Sequence, residues 1–395
     1  MQAISYKYSP KRNYLLVFSR IFVGCLFIFS GLIKANDPIG FGYKLQEYFE
    51  VFHLIAFQNQ AVMWAILLCS LEMVLGILLL LGLYGKKVAL GLLILILFFT
   101  FLTFYSAFFN VVTSCGCFGD AIPLTPWQSF SKDLILLVFI GIIFYFREQI
   151  IPLFHHEISQ ALTLSATIVF SLGIGVYTYN FLPFIDFLPY KEGNNLPELM
   201  RIPEGAPMDE YEISYTLKHK ESGEIKKVTD KIYLAQEFWK DENWEIIGDP
   251  ESKLVKVGYD APIKDLNITD ARGVEYTKEI IENPYYNLLI VSYNLDRANQ
   301  NALEQINEIA INAAEQYNIR TVLLTSSAAQ KVDELNDHIN LFMETFYADA
   351  VPLKSMVRAN PGIILMKNGY VIKKWHYHTL PTYEALADNY FSNLD

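Results

Sequence analysis

The chain has 395 residues, which is long enough for two domains. Its hydrophobic content is 52% and its net charge is −11, but both are unevenly distributed. Basic residues outnumber acidic ones by two in residues 1–183, whereas acidic residues outnumber basic ones by 13 in residues 184–395. This pattern predicts a membrane domain followed by an acidic, water-soluble domain. The second part has no basic stripe that would neutralise phosphates, which argues against nucleic acid as a partner.

Five apolar tracts reach or approach the length of about 20 residues that a helix needs to cross a bilayer. The first tract could mimic a secretory signal peptide, but no small-residue cleavage site follows it and four more tracts do, so we predict a retained anchor. The predicted membrane spans are 14–33, 61–83, 88–109, 127–146 and 161–182.

The basic residues of the first part lie at alternate ends of these spans. They precede the first span, fill the turn at Lys86 and Lys87, and follow the fourth span at Arg147. The loop at 36–60 has a single lysine, and the loop at 111–131 has no Lys or Arg. Because cytoplasmic loops carry an excess of Lys and Arg, the amino terminus is predicted to be cytoplasmic and the acidic domain to lie outside.

Two of the four cysteines form a Cys-Gly-Cys sequence at Cys115 and Cys117, in the outer loop between the third and fourth spans. The outer compartment is oxidising, and the central glycine tolerates the dihedral angles of a small disulfide ring. Because strained, exposed disulfides are labile, we predict a pair that cycles between disulfide and dithiol. The alternatives are a permanent bond that stiffens the loop, or two unrelated buried thiols. No metal site is predicted, since His53 is the one other candidate ligand in the outer loops.

Ionisable residues inside the spans are further candidates. Glu72 lies near the middle of the second span, where an ionised carboxylate is costly, and we predict that it relays protons or contacts a quinone head group. The alternative is a neutral, hydrogen-bonded acid that fixes helix packing. Asp133, close to the Cys-Gly-Cys loop, is predicted to be a local base or a cap of the fourth helix. Lys34, near a span end, is predicted to extend its side chain to the membrane surface.

Three stretches of the first part carry a family resemblance: FSGLIKANDPIGFGYKLQEYF at 29–49, LEMVLGILLLLG at 71–82 and SCGCFGDAIPLTPWQSFSKDL at 114–134. They resemble the DoxX/MauE group of bacterial membrane proteins, especially the MauE-like branch of Bacteroidetes. The resemblance covers about residues 13–150 and implies redox chemistry at the outer face of the inner membrane. MauE is associated with maturation of the disulfide-rich methylamine dehydrogenase. Other DoxX-related proteins belong to quinone-linked thiosulfate oxidation, which makes a membrane quinone a candidate cofactor.

The second part begins with a predicted linker at 190–205 and a β-hairpin over 211–234. From residue 287 the hydrophobic pattern predicts a strand, a helix, a strand and a helix. Two strands joined at Asn368 and Gly369 follow, and a last helix ends the chain.

This order resembles the thioredoxin fold, and GYDAPIKDLNITDARG at 258–273 is similar to the start of peroxiredoxin- and TlpA-like domains. The resemblance places Pro361 at the position of the cis-proline of the fold, and implies that Pro361 and Asn360 help to dock a client or partner. Redox-active members carry Cys-x-x-Cys near 294–297, where this chain has NLDR. Without a thiolate there is no thiol exchange, so we expect a docking domain. The alternative is a partner platform unrelated to redox chemistry.

Together these patterns predict a membrane α-helical bundle, with a DoxX/MauE-like four-helix core and a fifth span, followed by an α/β thioredoxin-like domain. The predicted function is periplasmic thiol–disulfide chemistry through Cys115 and Cys117, in which the bilayer and a periplasmic client or partner protein are the partners. Two alternatives stay open: a non-enzymatic membrane scaffold, and a quinone-linked oxidoreductase subunit. The predicted boundaries are 1–150 for the four-helix domain, 151–189 for the fifth span, 190–254 for the linker and hairpin, and 255–395 for the thioredoxin-like domain.

Overall fold

The computed structural model describes residues 13–112, 116–208, 210–256 and 258–392. Among these residues, five helices are long and apolar enough to cross a membrane, and their ends lie within four residues of the predicted tracts. The predicted five-helix membrane bundle is therefore confirmed. The helices of the first part are α1 (Tyr14–Asn36), α2 (Pro38–Val51), α3 (Ile55–Gln58), α4 (Ala61–Leu81), α5 (Gly85–Phe109), α6 (Pro126–Tyr145) and α7 (Glu157–Asn180).

The connection between the first and second membrane helices is helical, which the sequence analysis did not predict. The Asp37 side chain accepts a hydrogen bond from the backbone N–H of Gly40 at 2.9 Å, and Pro38 occupies the first turn of α2. Both features favour a helix start. Phe41 and Leu45 of α2 pack in one apolar cluster with α4. The helix α2 therefore forms an ordered cover on the bundle.

Helices α1 and α4 pack with their backbones in close approach. A Cβ atom at Gly76 would lie 2.9 Å from the carbonyl oxygen of Gly24, and a Cβ at Gly31 would lie 2.9 Å from that of Cys69. Small residues permit such an approach between membrane helices. This contact sets which residues of the two helices face each other.

The second part of the chain forms an α/β domain, as predicted. Its elements are α8 (Leu196–Met200), β1 (Glu210–His219), β2 (Ile225–Thr229), α9 (Asp230–Ala235), β3 (Trp244–Ile246), β4 (Glu251–Lys256), α10 (Thr277–Ile281), β5 (Tyr286–Val291), α11 (Gln300–Tyr317), β6 (Arg320–Thr325), α12 (Ala329–Ile339), β7 (Glu344–Tyr347), α13 (Ala350–Met356), β8 (Gly362–Lys367), β9 (Tyr370–His376) and α14 (Tyr383–Leu386).

The main sheet, within the described residues, has five strands in the order β7-β6-β5-β8-β9. Strands β5, β6 and β7 are parallel, whereas β8 and β9 are antiparallel. Helices α11, α12 and α14 cover one face, and α8, α10 and α13 cover the other. The order of elements follows the sequence prediction, with β7 and α13 inserted before the hairpin.

The start of the predicted linker is part of this domain. Tyr190 and Leu196 are buried in its core. The backbone N–H of Gly193 donates to the carbonyl oxygen of Val371 at 2.8 Å, and that of Val371 donates to the carbonyl oxygen of Asn194 at 3.0 Å. These bonds satisfy the free edge of β9. Residues 190–196 are therefore an integral part of the C-terminal domain and not a free linker.

The predicted hairpin is present as β1 and β2, paired antiparallel from Ser214–Thr229 to Lys218–Ile225. The short strands β3 and β4 pair with the other edge of β1. Neither strand was predicted, because β3 has three residues and every residue of β4 is exposed, so neither carries an apolar pattern.

The close packing of α1 and α4 is testable. Gly76→Ala should lower the free energy of unfolding by about 1–3 kcal/mol, because the added methyl group overpacks the contact. Gly141→Ala is the matched control, since a Cβ there meets no heavy atom within 4 Å, and we expect a change within about 0.5 kcal/mol. Denaturation of the purified protein in detergent, followed by circular dichroism, measures both variants. Equal effects of the two substitutions would contradict the packing.

Candidate functional site

A buried ion pair joins α1 to α4 inside the bundle. Lys34, in the last turn of α1, pairs through its Nζ atom with Oε1 of Glu72, in the middle of α4. The two side chains are 3% and 2% exposed. Charges removed from water are costly unless they are paired, so each charge requires the other.

The burial of Lys34 shows that the prediction of an extended, surface-seeking side chain is wrong. Its ammonium group lies 5.1 Å from the ring centre of Phe41 and 4.9 Å from that of Phe99, both suitable for cation–π attraction. Lys34 is buried because of the direction in which helical side chains point. Side chains on a helix lean toward its amino terminus, so a lysine in the last turn of α1 points back into the bundle.

The ion pair is connected to the Cys-Gly-Cys loop through one serine. Ser30 Oγ lies 2.9 Å from Oε2 of Glu72 and 3.0 Å from the backbone carbonyl oxygen of Cys117. Its single hydroxyl hydrogen can be donated to either acceptor. Cys117 is buried against the bundle. Cys115, the other predicted redox residue, lies outside the described residues.

Asp133 lies in the same region as Glu72. Its Oδ2 atom accepts a hydrogen bond from Thr103 Oγ1 at 2.9 Å, and its Oδ1 atom lies 2.9 Å from Lys132 Nζ. The helix cap of α6 is Thr125, which forms a capping box with Gln128. The alternative that Asp133 caps this helix is therefore wrong, because it lies two turns further along.

A small cavity brings these groups together. We call it the inner cavity, and its volume is about 30 Å³, roughly that of one water molecule. Three of the predicted site residues share it, although they come from α4, α6 and the Cys-Gly-Cys loop. Its lining includes Ser30, Lys34, Phe41, Glu72, Phe99, Cys117, Lys132 and Asp133.

A second cavity, here called the interdomain cleft, lies on the other side of the same loop. Its volume is 410 Å³. Gly116, Gly119 and Asp120 line it from the loop, and Lys354 and Arg358 line it from the C-terminal domain.

Arg358 links the C-terminal domain to the membrane domain through two carboxylates. Its Nε atom donates to Oδ2 of Asp37 at 2.8 Å, and Nη2 donates to Oδ2 of Asp120 at 3.2 Å. Its side chain is 6% exposed. Burial opposes its charge, but the carboxylates of Asp37 and Asp120 outweigh burial and raise the pKa of Arg358. Burial also raises the pKa of Asp120, while Arg358 opposes that rise.

Further contacts place the NLDR segment against the membrane domain. Arg297 donates from Nη2 to Oδ1 of Asn59 at 2.8 Å. The ammonium group of Lys354 lies 4.5 Å from the ring centre of Tyr43 and 5.7 Å from that of Tyr293. The position where redox-active relatives of the predicted fold carry their cysteines therefore faces α2 and the loop after α3.

The predicted docking residues lie just behind this segment. Asn360 is buried, accepts a hydrogen bond from Ser292 Oγ at 2.9 Å and donates to the carbonyl oxygen of Asn294 at 2.8 Å. The Asn360–Pro361 peptide bond is cis. Both residues shape the loop that contacts the membrane domain, and their role in docking stays a prediction.

Sequence reasoning missed Lys34 and Arg358 as site residues. A signal for Lys34 existed, because two isolated ionisable groups in apolar spans are expected to pair with each other. Arg358 gave no such signal, since its partners lie more than 200 positions away. Within the part of the chain that the structure describes, no group of three or more His, Cys, Asp or Glu side chains could hold a metal ion.

Comparison with known proteins identifies the first part of the chain. The family model for methylamine utilisation protein MauE matches residues 12–146, so the chain contains a MauE family domain there. Protein TlpB of Flavobacterium psychrophilum is 29% identical over 144 residues, which are 35% of this chain and 39% of that protein. The match thus spans well under half the length of this curated relative. No solved structure matches the chain.

The buried ion pair makes a quantitative prediction. Glu72→Gln and Lys34→Met should each lower the free energy of unfolding by about 3–5 kcal/mol, because each leaves a buried charge without its partner. The double variant should lose less free energy of unfolding than the sum of the losses of the two single variants. The exposed pair Lys86–Glu148 is the control, and Glu148→Gln should change stability by at most about 1 kcal/mol.

Chemical denaturation in detergent measures this double-mutant cycle. Additive losses for Lys34 and Glu72 would mean that the two charges do not stabilise each other, contrary to the geometry.

Proposed function

We propose that this protein carries out thiol–disulfide exchange with a protein client through Cys115 and Cys117, at the periplasmic face of the bacterial inner membrane. The observation that best supports this proposal is the position of the Cys117 loop. A buried ion pair lies on one side of the loop, and the interdomain cleft lies on the other. The MauE family domain and the similarity to Protein TlpB support a membrane protein linked to redox processes. The orientation rests on the distribution of Lys and Arg in the loops.

The inner cavity has the charges that a reactive thiol needs. A thiolate, not a thiol, is the nucleophile, and a neighbouring ammonium group favours it. Lys34 supplies that group in the cavity that Cys117 also lines. If the proton of the Cys117 thiol passes to Glu72, the total charge of the buried site does not change, which avoids the cost of an added buried charge. Asp133 is a second proton acceptor at the same cavity.

The exchange is balanced without another reactant. A client thiolate attacks one sulfur of the Cys115–Cys117 disulfide, that S–S bond breaks, and a mixed disulfide forms. The second client thiol attacks the mixed disulfide and releases the protein as a dithiol. Two electrons and two protons pass from the client to the pair, and the reverse order of steps transfers them to the client.

A membrane quinone, the candidate cofactor implied by the DoxX resemblance, does not fit the inner cavity. A cavity of about 30 Å³ holds one water molecule and not an aromatic ring. No step of the exchange therefore runs through a quinone at this site.

The C-terminal domain is proposed to act as a thioredoxin-like docking domain. No cysteine follows Cys117 in the chain, so this domain cannot exchange disulfides itself. Asn360 and Pro361 shape the NLDR loop, which contacts the membrane domain. Their proposed role is to hold that loop in the shape in which it docks.

Cysteine variants in living cells test this function. In Cys115→Ser or Cys117→Ser, the remaining thiol should form a mixed disulfide with a client, visible as a slower band that disappears on reduction. After a reductant pulse, both cysteines of the parent protein should react with a membrane-impermeant maleimide. Cys25→Ser is the control, because Cys25 lies within α1 and away from the loop.

The structural alternative predicts a different result. If neither single variant traps a protein and the double variant supports the same growth as the parent, the pair is a permanent brace and the protein is a scaffold. Ile122, in the same loop, is exposed, and failure of the impermeant reagent to label an Ile122→Cys variant in intact cells would contradict the proposed orientation.

A further inference from the structure

The loop that contains Cys117 is a thin wall between two cavities. Cys117 lines the inner cavity, whereas Gly116, Gly119 and Asp120 line the interdomain cleft. Cys117 itself is buried, while Gly116 is partly exposed. At Gly116, Gly119 and Asp120 the loop is therefore open to a reactant that occupies the cleft.

The dimensions of the cleft select the kind of reactant. Its volume of 410 Å³ falls in the range of about 300–1,000 Å³ that is usual for binding pockets. This space accommodates a short extended segment and not a folded domain. Its walls combine hydrogen-bonding side chains, such as Lys44, Glu47 and Asp186, with apolar ones, such as Ile33 and Leu188. Such a mixture suits a polypeptide, which presents both backbone polar groups and side chains.

Arg358, on the wall that the C-terminal domain supplies, links two walls that the membrane domain supplies. Asp37 caps α2, which forms one wall, and Asp120 belongs to the Cys117 loop, which forms the other. The guanidinium group of Arg358 binds both carboxylates at once. Arginine suits this task because its planar group presents several donors in fixed directions.

We propose that the interdomain cleft is the client-binding site, that its ligand is an extended, cysteine-bearing peptide segment, and that Arg358 is the positioning residue that holds the Cys117 loop toward that segment. This inference rests on the proposed thiol exchange and names its substrate class and its binding site. The C-terminal domain then contributes to the reaction by completing the cleft, although it has no cysteine.

The test uses two probes of different size on the reduced full-length protein in detergent, in a Cys25→Ser background. One probe is a short peptide whose single cysteine is activated as a mixed disulfide, and the other is iodoacetamide. Ser355 lines the cleft, and its Oγ atom bonds only within its own helix in the described contacts. Ser355→Trp should fill the cleft and lower the rate at which the peptide reacts with the loop cysteines by at least about tenfold. The rate of alkylation by iodoacetamide should change by less than about twofold.

Ser252→Trp, on the exposed strand β4, is the matched control and should leave both rates unchanged. An unchanged peptide rate in Ser355→Trp would overturn the cleft as the binding site. An equal slowing of both probes would also overturn it, because the loop would then have changed and size would not matter. The probes report access to the loop, so these results hold whether or not a cellular client is trapped.

The positioning role of Arg358 is tested separately, by the rate of reaction with the peptide and by the redox potential of the cysteine pair. Arg358→Gln should lower the rate of reaction with the peptide by about tenfold and also shift the redox potential of the cysteine pair. The reason is that the loop loses the bond between Asp120 and Arg358, which fixes its position. Arg358→Lys should restore part of both properties. Arg320→Gln, which breaks two ion pairs at the opposite end of the sheet in the same domain, should change neither. Loss of peptide reactivity without any shift in potential, or no rescue by lysine, would contradict the positioning role.

Discussion

The ion pair between Lys34 and Glu72 is the interaction on which the rest of this structure depends. Two opposite charges in an apolar bundle are stable only together, so they fix α1 against α4 at one level. The glycines of the α1–α4 contact let the two backbones approach closely enough for this pairing. Through Ser30, the same pair determines where the carbonyl group of Cys117 lies. A rigid electrostatic centre therefore supports the one loop that contains two cysteines.

A second charged cluster holds that loop from the opposite side. Arg358 reaches across the domain boundary to Asp37 and Asp120, and Arg297 reaches across it to Asn59. The C-terminal domain has no cysteine of its own. In the proposed exchange its contribution is therefore positional: it supplies one wall of the cleft, and the membrane domain contains both cysteines.

The sequence was sufficient for features that depend on local pattern. Long apolar tracts predicted the membrane helices, and alternating strands and helices predicted the α/β domain. Features that depend on distant contacts were missed. Lys34 was expected to turn outward, because nothing near it in the sequence shows that Glu72 will lie beside it. Helix α2 had a local start signal at Asp37 and Pro38 but, at 14 residues, is too short to be predicted as a membrane span. The role of Arg358 appears only once two domains meet. The Cys-Gly-Cys motif itself stays a sequence-based prediction at Cys115.

The redox potential of the Cys115–Cys117 pair tests the central claim most directly. The purified full-length protein would be equilibrated with dithiothreitol or glutathione buffers of stepwise potential, and alkylation of the two cysteines measured by mass spectrometry. A pair that exchanges with clients should have a potential above about −300 mV, and reduction should be complete and reversible. A potential below that value would show a structural disulfide that resists reduction, and it would contradict the account.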